Sequence, residues 1–187
     1  MANEDRPTGA RVIGNLSGYY EGQLTKMFIP ASDLVATYIN DVVILAGSAD
    51  VNGVATVAQS TAGDMPCGII VAMEPDYANL ETKYRLASTA RYVWVNTDPN
   101  VRFEIQTSGT FAAANVGLNA DLVVAAGSAA SGLSAMELNQ TTVATTSTLV
   151  LAIEGVMQRE DNAIGLNAKI LCSFNVHQYG SAGVGGT

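Results

Sequence analysis

The chain has 187 residues, enough for one hydrophobic core or for two small ones sharing an interface. Apolar residues make up 48% of it and charged ones 14%, with abundant Val, Ala, Thr and Gly, a balance that favours β structure. Nine Lys and Arg against seventeen Asp and Glu leave a net charge of −8, with no basic residue between Lys26 and Lys83 or between Arg102 and Arg159; nucleic-acid binding needs clustered cations and is not expected.

The first ten residues, MANEDRPTGA, hold no apolar leader, and no apolar run approaches the roughly 18 residues of a membrane span. A soluble chain made in a cytoplasm is expected, without membrane partners. Residues 1–36 show neither a period of two nor one of 3.6, so they read as an extended N-terminal arm ordered only where it finds a surface. Tyr19, Tyr20, Met27 and Phe28 are an odd choice for a solvated tail. They are candidate contact residues, either with a partner or with the chain's own domain.

From residue 37 to 178 short apolar runs alternate with Gly, Asn, Asp, Ser and Pro, which predicts one compact all-β domain, a β-barrel or β-sandwich. DVVILA at 41–46 and CGIIVAM at 67–73 read as strands buried on both faces. A helix is conceivable only over 77–87, where Leu80, Tyr84 and Ala87 have suitable spacing.

ARYVWVNTDPNVRFEIQTSG at 90–109 reads as a hairpin, turning at NTDPN. Val101, Phe103 and Ile105 form a dry face against Arg102, Glu104 and Gln106. Val93 and Val95 would join that dry face, yet Trp is usually core, so Tyr92 and Trp94 are expected to point inward. The alternative is an exposed aromatic pair beside Arg102, a contact patch for a protein or a sugar.

Residues 111–136 carry one charge, Asp121, and are expected to be buried in the fold or in an oligomer interface. LVLAIEGVM at 149–157 and AKILCSFNVH at 168–177 complete the strands, and residues 179–187 read as a flexible tail. Two stretches resemble each other: DVVILAGSAD at 41–50 and DLVVAAGSAA at 121–130 match at six of ten positions. They are either a duplicated β unit or two strands of one barrel meeting the same turn requirement, and the richness in Ala, Gly and Val favours the second.

Catalytic vocabulary is sparse. His177 is the only histidine, expected on the wet side of its strand, and with two dispersed cysteines it cannot build the usual zinc sites. Cys67 and Cys172 lie in apolar runs and are expected as buried free thiols. Acids such as Asp76, Glu81, Glu154, Glu160 and Asp161 could serve a glycosidase only as a pair across a cleft. No enzyme, cofactor or metal is therefore expected.

MPCGIIV, ARYVWVNTDPNVRFEIQ, VGLNADLVVAAGSAASGLSAMELN and LAIEGVMQREDNAIGLNAKILCSFNVHQY, in that order over roughly residues 40–178, resemble virion structural proteins of tailed bacteriophages. The chain looks most like the capsid decoration, or cement, proteins of podovirus-type heads. The resemblance implies a non-enzymatic protein, assembled in the host cytoplasm, that binds the outer surface of the expanded shell and bridges major capsid protein subunits. It also implies a homo-oligomer, with a trimer favoured. The alternative expectation is a carbohydrate- or receptor-binding module of a head or tail fibre.

Overall fold

The computed structural model of the chain describes residues 3–16 and 24–180. Five strands close into a barrel: β2 (Thr25–Ile29), β3 (Val42–Ala49), β4 (Ala55–Gln59), β5 (Gly68–Met73) and β6 (Arg91–Asn96), in the order β2-β4-β3-β5-β6. Neighbours run antiparallel except at β2 beside β4, which is parallel. Met27, Val43, Val57, Ile70, Val93 and Val95 fill the interior.

The other strands are β1 (Arg11–Asn15), β7 (Val101–Gln106), β8 (Asn119–Ala120), β9 (Leu122–Val123), β10 (Glu137–Leu138), β11 (Leu151–Val156) and β12 (Lys169–Phe174). They form a sheet in the order β1-β7-β12-β11-β8 and a two-stranded pair of β9 with β10. Helical structure among the described residues is limited to two 3-10 turns, Ala113–Asn115 and Gln140–Thr142.

The all-β barrel expectation is met, and DVVILA shows why both of its faces are dry. Side chains alternate along a strand. Val43 therefore points into the barrel, while Val42 packs outside it with Ile69, Phe103 and Leu122 in the core of the second sheet.

The second half repeats the circuit of the first. β7 pairs with β12 as β2 pairs with β6, β12 with β11 as β6 with β5, and β8 with β11 as β3 with β5, all antiparallel. The parallel contact of β2 with β4, Phe28 opposite Thr56, returns as the parallel bridge of Thr107 with Leu138. Even the bulge is kept. The register slips between Ile70 and Ala72 on β5 and between Ile153 and Gly155 on β11. The two similar stretches thus begin equivalent strands of a doubled five-stranded unit, against the reading that places them in one barrel.

Other expectations are corrected. The described part of residues 1–36 is not an arm apart from the fold: β2 is a stave of the barrel and β1 extends the second sheet along β7. Thr25, Met27 and Ile29 alternate with Lys26 and Phe28, a period of two too short to stand out among the flanking Gly and Pro.

β6 and β7 do not form a hairpin, because each is already paired on both edges, β6 with β2 and β5, β7 with β1 and β12. NTDPN turns as its residues suggest, Asn96 Oδ1 accepting from Asp98 N at 3.0 Å and Asp98 Oδ1 from Asn100 N at 2.8 Å, but it hands the chain from one unit to the other. No helix forms over 77–87, where turns and a buried Arg85 stand instead.

Residues 111–136 bury Phe111, Ala120, Leu122 and Met136 within the fold and expose Ala112–Ala114 and most of 125–131 on the single chain, so the fold alone accounts for part of the expected burial. His177 is 4% exposed rather than wet, because residues after β12 cross the end of the barrel, with Gln178 N donating to Pro66 O at 2.8 Å. Cys67 and Cys172 are free and buried. Residues 181–187 lie outside the described residues.

Candidate functional site

The outer face of β2 and β6 gathers the chain's most conspicuous aromatic group. Lys26 stands opposite Trp94 and Phe28 opposite Tyr92 in the antiparallel ladder. Met27, Val93 and Val95 occupy the interior positions between them, so period-two alternation places Phe28, Tyr92 and Trp94 outward. That corrects the expectation that Tyr92 and Trp94 point inward. Met27, Val93 and Val95 already take the inward positions of the two strands, so the residues between them face outward.

Met27 is 1% exposed and contacts its own core rather than a partner. Tyr19 and Tyr20 lie outside the described residues. Arg102, expected beside the aromatics, belongs to the second sheet, where its Nε stands 2.7 Å from Glu154 Oε2.

The half-buried rings of Phe28 and Tyr92 are held in place. Phe28 and Tyr92 are tilted at 51° with centroids 5.1 Å apart, and Lys26 Nζ sits 3.8 Å above the Tyr92 ring. The Tyr92 hydroxyl donates to Asp50 Oδ2 at 2.6 Å, reaching the tip of the β3–β4 hairpin. That bond, with those from Val54 N and Asn52, pulls the Asp50 carboxyl down to about 2. The same bond raises Tyr92. Val51, at the tip, is fully exposed. Sequence reasoning named the aromatics but missed Asp50 and Asn52, whose proximity depends on barrel closure.

Of the candidate acids, Asp76, Glu154 and Asp161 are paired with arginines, whereas Glu81 and Glu160 are exposed and form no ion pair among the described residues. Asp76 binds Arg91 at 3.0 Å and Glu154 binds Arg102. Asp161 and the buried Glu104 meet in a cleft but address the same Arg159 guanidinium, at 3.4 and 2.8 Å. Among the described residues no three His, Cys, Asp or Glu converge on a possible metal position. Burial pushes the Cys67 thiol up to about 12 and His177 down to about 4, which leaves both neutral near pH 7.

A rigid outward aromatic surface flanked by a carboxylate, an amide and an ammonium can bind a protein surface or stack on a sugar ring. No protein-family model, curated protein or solved structure compared with the chain matches it.

Proposed function

We propose that the protein is a head decoration protein of a tailed bacteriophage, which binds the outside of the expanded capsid and bridges neighbouring major capsid protein subunits. The observation that carries this reading is the outward face of Phe28, Tyr92 and Trp94 on paired barrel strands. Aromatics immobilised by cross-strand contacts lose little entropy on binding and are the residue types that dominate protein interfaces. The net charge of −8 suits a protein that must sit on a shell without collecting the nucleic acid beneath it. In a homotrimer, three such faces would engage together, so that modest individual contacts give lasting attachment.

The test is co-sedimentation with expanded heads that lack the protein. Saturable binding that is lost in Trp94→Ala supports the proposal. Heads that sediment without the wild-type chain would overturn it.

A second reading, a carbohydrate-binding module of a fibre, is favoured by one observation: Asp50 and Asn52 flank the Tyr92 hydroxyl, within 2.6 and 3.3 Å, as polar groups beside a stacking surface. A glycan array decides between the two, since glycan binding lost in Trp94→Ala would select this second reading.

A further inference from the structure

The second unit carries, on the face of its sheet turned away from the core, a polar cavity of about 520 Å³. It lies between the N-terminal segment and residues 159–169, and Arg6, Arg11, Glu104, Arg159, Asn167 and Lys169 line it. Four of the chain's nine basic residues surround this cavity, and Glu4 and Asp161 share its lining with Glu104, so the cations exceed the acids by one.

The floor is built rather than incidental. Glu104, 5% exposed, stands in register with Arg11 on one side and Leu171 on the other. Arg159 grips its carboxylate with two nitrogens, Nη1 to Oε2 at 2.8 Å and Nη2 to Oε1 at 3.2 Å. Lys169, opposite Gln106, donates through Nζ to the Gln106 side chain and to the Arg6 carbonyl at 2.6 Å. Arg6 and Arg11 are exposed at the rim, and neither forms an ion pair among the described residues.

The first barrel supplies an internal control. The shared bulge aligns Trp94 with Leu171 and Tyr92 with Lys169, and their ladder partners Lys26 with Glu104 and Phe28 with Gln106. The same fold therefore closes with a mostly aromatic face at these positions. Taking charges out of water carries a penalty that apolar packing avoids, so the polar cluster of the second unit is not a requirement of the architecture.

We infer that this cavity binds a small saccharide bearing one carboxylate, with the carboxylate between the Arg6 and Arg11 guanidinium groups and the hydroxyls on Glu104 and Asn167. Paired guanidinium groups suit a planar carboxylate. Glu104, paired with Arg159, retains lone pairs that accept from hydroxyls, and the carboxylates of Glu4 and Asp161 in the same lining disfavour a ligand of higher negative charge. A volume within the usual range for small-ligand sites accommodates one or two sugar rings.

The test titrates the purified full-length chain with sodium glucuronate, glucose and inorganic phosphate at matched ionic strength, followed by backbone amide NMR. Glucuronate is expected to shift the amides of Arg6, Arg11 and Asn167 saturably with millimolar affinity, glucose and phosphate much less. Arg11→Glu and Arg6→Gln, both at exposed positions, should each weaken glucuronate binding about tenfold while leaving the rest of the spectrum in place. Phosphate binding as well as glucuronate would overturn the saccharide assignment, and equal binding of glucose would overturn the role of the carboxylate. Absence of saturable shifts with all three would overturn the site itself. None of these outcomes depends on attachment to heads.

Discussion

Arg85 donates through Nη2 to the backbone carbonyl of Asp33 at 2.8 Å, while its Nη1 stands 3.7 Å from the same residue's carboxylate. The guanidinium has no exposed surface and also reaches the carbonyls of Thr89 at 2.7 Å, Val35 at 2.6 Å and Pro30 at 2.8 Å. One side chain thereby supplies the donors that the 30–35 connection would otherwise take from water. Arg85→Met should take a charged donor from four carbonyls, leaving that of Thr89 with none, and lower stability by about 2–3 kcal/mol, and Arg85→Lys by nearly as much, because an ammonium cannot span the same fork. Urea midpoints with unchanged m-values would check both.

The two AGSA copies keep their glycines for different reasons, and the difference is measurable. Gly47 has φ +69°, a left-handed conformation at the irregular end of β3. At Gly127 a Cβ would meet the Tyr38 ring at 2.4 Å and the Leu133 carbonyl at 2.5 Å. Gly47→Ala is expected to cost about 1 kcal/mol of conformational strain. Gly127→Ala should cost about 2–3 kcal/mol, because rigid neighbours must move. Thermal unfolding of the two variants side by side should place Gly127→Ala lower.

Two buried groups pull the pH dependence in opposite directions. Burial raises Asp41 to about 6 from 3.8, although Tyr38 N and Gln59 Nε2 donate to it. The folded chain holds that proton between about pH 4 and 6 when the unfolded chain has released it, so this group adds stability as pH falls through that window. His177 is depressed to about 4 from 6.5, so the unfolded chain binds a proton first and stability is lost as pH falls from 6.5 towards 4. Asp41→Asn should therefore lose stability more steeply than wild type between pH 6 and 4. His177→Gln should show the reverse change in slope, both read from urea midpoints across pH 4–7.

Removing the outward aromatics should separate binding from folding. Trp94→Ala and Phe28→Ala are expected to weaken attachment to expanded heads at least about tenfold, the effect of losing an interface anchor. Phe28→Ala also breaks the tilted ring contact with Tyr92 and should cost about 1 kcal/mol of stability. Because Trp94 is the only tryptophan, a blue shift of intrinsic fluorescence on binding would report its own burial.

Alternation within single strands was legible in part: Val101, Phe103 and Ile105 are buried on one face as their spacing implies, but Glu104 and Gln106, on the face expected to be wet, are buried too, under Arg159 and the N-terminal segment. What pairs with what was not. Val93 and Val101 carry the pattern of a hairpin, yet they serve two different cores, and nothing within twenty residues distinguishes these cases. Asp161 and Glu104, far apart in the chain, line one cleft and share the Arg159 guanidinium, a convergence that spacing along the sequence does not show. The aromatic residues of the outward face were legible by type, but Trp94 was misdirected because the tendency to bury indoles yields here to the alternation that turns Val93 and Val95 inward. Arg6, Arg11, Arg159 and Lys169 are too scattered along the chain to have been read as one group.

Val42 and Ile69 belong to barrel strands, yet they are buried in the core of the other unit. A chain ending at the NTDPN turn would bare both side chains, and the second half alone would miss them and the supporting β1. Repetition of the topology has therefore not produced independent modules. The halves should melt together in a single cooperative calorimetric transition, and neither gives a stable domain when cut at Asp98.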